Sequence, residues 1–88
     1  MLKVGQVWRG VVRSKLRSFG HVTEDGDMVF IGDDPTVPAV IDVLVKRLPD
    51  PRFPNLVLVE ALDVERPSGV FQYWEEVERV VAGKLDPC

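Results

Sequence analysis

His21 and Cys88 are the only histidine and the only cysteine in the chain, so any metal or nucleophile chemistry starts from them. A protein zinc site takes more Cys and His ligands than one of each, which removes zinc from the expectations for a single chain. A Cys–His nucleophile pair needs a thiolate, and Cys88, as the last residue, has no neighbour in sequence that would lower its pKa. The acidic clusters Glu24/Asp25/Asp27 and Asp33/Asp34 fail calcium-loop spacing, which requires oxygen ligands at alternating positions and a closing glutamate. They read as turn residues. Gly5 and Gly10 are not followed by Gly-Lys-Ser/Thr, so no phosphate loop forms. These residues predict no catalytic set, no metal and no cofactor.

Charge layout stands above this background. Residues 1–22 hold Lys3, Arg9, Arg13, Lys15 and Arg17 and no acid, while residues 23–88 hold all fourteen acids against six bases. A basic N-terminal hairpin carrying Trp8 and Phe19 would suit a phosphate backbone and stacked bases. The competing reading is that these charges meet the chain's own acidic half or an acidic protein. The net charge of −3 favours that second reading, because long-range attraction to nucleic acid is weak. A second candidate surface is aromatic. Phe53 sits in a proline-rich connector, and Tyr73 and Trp74 are adjacent, so an extended backbone puts them on opposite faces. Aromatic residues and Arg are favoured interface anchors. The partner-binding candidates are therefore Arg9, Arg13, Lys15, Arg17, Phe53, Tyr73 and Trp74.

Eighty-eight residues suffice for one domain, able to bury roughly 60–65% of its unfolded surface. An apolar fraction of 45% and a charged fraction of 28% belong to a globular chain and not to a disordered one. One cysteine allows no intrachain disulfide, which fits a reducing compartment. No apolar run approaches a membrane span, and no signal-peptide apolar region follows Met1, so a cytoplasmic location is expected.

The elements that must position these residues read mainly as strands. Val4 to Arg13 alternates, placing Val4, Gln6, Trp8, Gly10 and Val12 on one face and Val7, Arg9, Val11 and Arg13 on the other. Gly5 and Gly10 mark bulge or bend positions. Phe19–Thr23 and Met28–Ile31 flank an Asp-Gly hairpin signal at Glu24–Asp27. For 36–48 two readings stand. Val37, Val40, Ile41, Leu44 and Leu48 recur at helical spacing behind Thr36, but Ile41, Val43 and Val45 are β-branched and alternate. Leu48–Pro54 has three prolines and forms a stiff connector. Asn55–Asp63 is a strand, apolar on both faces at first and therefore central. Arg66–Gly69 is a turn. Val70–Ala82 again admits a helix, with Phe71, Trp74, Val77 and Val81 on one face, or a strand returning beside Leu56 and then a helical turn. Gly83 ends that element, and residues 84–88 read as a frayed tail.

The opening Lys3-Val4-Gly5-Gln6-Val7-Trp8-Arg9 resembles the first strand of small SH3-like barrels found among uncharacterised bacterial and bacteriophage proteins. Asp63–Trp74, with its Pro67-Ser68-Gly69 turn, is similar to their later hairpin. The resemblance covers about a third of the chain; the proline-rich connector and the Glu-bearing tail depart from it. It implies a binding or regulatory module, phage-encoded and aimed at a host protein in the host cytoplasm.

The fold expected is mainly β: an SH3-like, partly closed barrel of five or six strands with a short C-terminal helix or helical turn. The alternative is α+β, with helices near 36–48 and 70–82. The function expected is a non-enzymatic protein-interaction module, an inhibitor or adaptor. The alternative is a small nucleic-acid-binding protein using the basic hairpin. An exposed Val7/Val11 edge would add a homodimer.

Overall fold

Eight short elements follow one another in the computed structural model, which describes residues 2–14, 20–22, 28–30, 37–66 and 69–87. They are β1 (Val7–Val12), β2 (Gly20–Val22), β3 (Met28–Phe30), β4 (Val40–Arg47), β5 (Leu56–Arg66), β6 (Gly69–Glu76), α1 (Val77–Val81) and β7 (Lys84–Leu85). Five strands make one antiparallel sheet in the order β6-β5-β4-β1-β7, and β2 pairs with β3 separately. The fold is mainly β, with one short helix and a sheet that does not close.

The two ambiguous segments resolve by packing. In β4 the β-branched Ile41, Val43 and Val45 are buried and alternate with exposed or half-buried neighbours, because the strand lies between β1 and β5 with one face on the core. A helix over 36–48 would have turned only part of that set inward. In β6 the period is also two: Tyr73 and Glu75 are buried, and helix begins only at Val77. A helix over 70–82 would turn Glu75 away from the face shared by Phe71, Trp74, Val77 and Val81. The strand sends it inside.

β5 is the central long strand expected, with Leu56, Val57, Leu58 and Val59 all buried. Val43, Ala61 and Phe71 line up across three strands, as do Val45, Val59 and Tyr73. With Trp8, Val11, Val37, Ile41, Val57 and Val80 they form one core, each large side chain contributing about 1.5–3 kcal/mol by leaving water. The β2–β3 pairing matches the expected hairpin; its turn, residues 23–27, lies outside the described residues, as do 67–68 within the expected turn at Arg66–Gly69.

Strict alternation fails in β1. Arg9 and Gly10 together stand opposite Asp42 alone, a bulge in which Gly10 takes φ +67°. One extra residue shifts every later side chain to the other face. Val11 therefore joins Trp8 in the core and Val12 turns out, the reverse of the pattern read from sequence. β1 is also no free edge, since β4 and β7 flank it, so the expected Val7/Val11 dimer edge does not exist. The tail is ordered rather than frayed up to Pro87: Leu85 pairs with Trp8, Lys84 with Arg9, and the Asp86 N–H donates to Val7 O at 2.9 Å.

Candidate interaction surface and the buried polar cluster behind it

Arg9 and Arg13, two of the expected contact residues, are both engaged within the fold. Arg9 leaves the bulge on the outer face. Its guanidinium donates to Asp42 Oδ2 at 3.0 Å through Nη1 and to Asp86 Oδ2 at 2.9 Å through Nη2. Asp42 also accepts the Gly10 N–H at 3.1 Å, so one carboxylate closes both the bulge and the ion pair. Asp86, by hydrogen bond and charge, and then Asp42 hold the Arg9 guanidinium even more firmly protonated than usual.

Arg13 is 5% exposed. Its Nε donates to Pro38 O at 2.7 Å and its Nη2 to Val37 O at 2.8 Å, while its backbone N–H donates to Ala39 O. The side chain thus stitches the entry to β4 onto the exit of β1. It is an internal tie, and the expectation that it presents to a partner does not hold. Lys15 and Arg17 lie outside the described residues.

Tyr73 is likewise interior, at 1% exposure, because residues 71, 73 and 75 of β6 point to the core. Its hydroxyl donates to Glu75 Oε1 at 2.9 Å. The same oxygen accepts the Ser14 N–H at 2.8 Å, and Oε2 accepts the Glu76 N–H at 2.8 Å. Glu75 thus ties β1's exit, β6 and the start of α1 to one carboxylate. Burial pushes its pKa up against the pull of the Ser14, Glu76 and Tyr73 donors and the Arg79 charge. Burial also pushes the Tyr73 phenol up, with the Glu75 charge adding to it. Sequence reading missed Glu75, and the signal was available: in a strand, Phe71, Tyr73 and Glu75 share a face.

Trp74 is on the opposite face, half-buried beside Leu58, with its indole Nε1 enclosed and unbonded among the described residues. Phe53 is where an anchor would be useful. It is 43% exposed at the tip of the connector, held by its own N–H on Asp50 O at 2.8 Å and by Leu56 N–H on Phe53 O at 3.1 Å. Asp50 Oδ1 accepts the Arg52 backbone N–H at 2.8 Å, which lowers the Asp50 pKa and fixes the turn. The Arg52 guanidinium lies over the Phe53 ring at 5.9 Å.

Between this turn and α1 runs an open trough of about 700 Å³, lined by Phe53, Pro54, Leu56, Val77 and Val81 with Arg52, Asn55, Glu76 and Glu78 at its polar positions. Val77 N–H donates to Asn55 O at 2.8 Å, so the two walls are tied at the base. Among the described residues no three metal-ligating side chains gather, and no helix is long and apolar enough to cross a membrane. No family model, no curated protein and no solved structure matches the chain.

Proposed function

We propose that the chain is a non-enzymatic protein-interaction module, acting as an adaptor or inhibitor does, and that its contact surface is the trough between the connector and α1. The observation that carries this is the placement of Phe53 and Val81. Each is 43% exposed, each is large and apolar, and both line the same trough. Apolar anchors around a depression that a partner side chain can fill are the usual energetic centre of an interface. The polar groups with the most perturbed environments, Tyr73 and Glu75, support the non-enzymatic side: they are buried against each other and spend their hydrogen bonds on the fold. The nucleic-acid alternative is weakened at its two described arginines, because Arg9 is paired with two aspartates and Arg13 is buried against carbonyls.

Affinity capture with paired surface variants tests this reading. Partners held by the wild type should be lost with Val81→Asp and with Phe53→Ser, and kept with Leu62→Asp, which changes an equally exposed residue outside the trough. Partners lost equally with all three, or only with Arg9→Glu, would place the contact elsewhere and end the proposal.

A further inference from the structure

We infer that the trough takes an extended peptide segment in which an apolar side chain is flanked by Lys or Arg. This rests on the trough being the contact surface and adds the chemistry of what it holds. The charges of the lining decide the flank. Arg52 is offset by Asp50, its Nε 3.3 Å from Oδ1, and Glu76 by Arg79 at 2.8 Å. Glu78 is exposed, lines the trough, and has no ion pair among the described residues. The unbalanced charge at the rim is therefore negative, on a chain already at −3. An acidic peptide would meet the one lining charge that has no partner of opposite sign among the described residues, whereas a cationic one completes the pairing.

Two further features choose an extended peptide over a small molecule. The Asn55 side-chain amide stands at the trough wall with no hydrogen bond among the described residues, and an amide offers one donor face and one acceptor to a passing peptide backbone. The trough is open to solvent, so a small molecule would keep much of its surface in water, against the ~70–90% burial such sites need. A second copy would offer Lys3 beside Val4 or Lys84 beside Leu85, both apolar side chains being exposed, so self-association is an outcome the test must read.

The test pans a displayed library of random linear peptides on the full chain and measures affinities of the selected peptides by fluorescence polarisation. Selected sequences should carry Lys or Arg beside Leu, Ile, Phe or Met. Val81→Asp should weaken them about tenfold or more, the effect of losing an anchor contact. Glu78→Lys should weaken them about 2–5-fold, the scale of one exposed charge pair, and panning on Glu78→Lys should select Asp or Glu in the flank. Thermal unfolding confirms that each variant folds; both changed side chains are exposed, so both should. Peptides lost with Val81→Asp but carrying no cationic bias, or indifferent to Glu78→Lys, would overturn the inference and leave the trough as contact surface. Failure to select any peptide that distinguishes wild type from Val81→Asp would overturn the inference, and the contact surface itself would then stand or fall on the affinity capture with Val81→Asp and Phe53→Ser. Self-association in light scattering that Val81→Asp removes would make the occupant a second copy and overturn the inference too.

Discussion

Glu75 ties β1's exit to β6, since its two oxygens accept three donors: Ser14 beyond β1, and Tyr73 and Glu76 of its own strand. Burial outweighs those donors, so its pKa in the folded chain lies above the unfolded value. Between the two values the folded chain holds more proton than the unfolded one. The contribution is therefore full below the unfolded pKa and is lost as pH rises through the folded one. Asp50, exposed and shifted down, runs the opposite way, so the useful comparison is wild type against Glu75→Gln. Urea unfolding across the acid to neutral range should show a fall of stability with pH in the wild type that the variant lacks. The glutamine should also lower stability by about 1–3 kcal/mol at neutral pH, because its NH₂ would face either the Glu76 N–H or the two donors at Oε1. Tyr73→Phe removes one donor from the carboxylate, so the pH window in which stability falls should extend upward. An unchanged window would mean the Tyr73 hydroxyl does not sense the Glu75 charge.

At the scale of elements, two glycines make contrasting demands around β1. Gly10 needs its positive φ and has open space where a Cβ would go; Gly83 has no such φ, but a Cβ there would lie 2.7 Å from Arg9 O and 3.0 Å from Val11 Cγ2. Gly10→Ala should cost about 1–2 kcal/mol of backbone strain, with the sheet intact. Gly83→Ala must push the α1–β7 link off β1, costing about 1–3 kcal/mol and exposing the β7 amides to hydrogen exchange. If exchange at β7 were the same in both variants, the close approach at Gly83 would not be what seats β7. The same region shows why the strands were legible and their faces only partly so. β-branched alternation at Ile41, Val43 and Val45 and the double-faced apolar run Leu56–Val59 were readable, since one sheet position dictates each pattern. Gly10 was readable as a bulge but not its consequence, because the phase of Val11 and Arg13 depends on the register against Asp42. β7 left no signal, since a two-residue edge strand is set by its neighbour's open backbone and not by its own side chains.

Across the whole molecule the charge asymmetry of the sequence turns into internal neutralisation where it can be followed. Within the basic segment Arg9 lies on β1, and the acids it meets come from distant parts of the acidic remainder: Asp42 on β4 and Asp86 beyond β7. The trough residues come together in a similar way. Phe53 and Val81 are separated by the whole β5–β6 hairpin and meet only because Leu56 pairs with Glu76 at its open end. Phe53 was therefore legible as a candidate from its proline-flanked position, but its partner in the surface was not. Neutralisation on this scale predicts how the chain treats nucleic acid. A protein that neutralises several phosphates releases as many counterions, and its affinity falls steeply with salt. Here Arg9 is paired with two aspartates, Arg13 is buried, and the chain's net −3 repels a polyanion. Neither single- nor double-stranded DNA should be retained in filter binding even at low salt, and Arg9→Ala should not alter that. Retention that declines linearly in log affinity against log salt would make the phosphate backbone a ligand. If Arg9 supplied that contact it would have to leave its aspartates, and Asp42→Ala and Asp86→Ala would then bind more tightly.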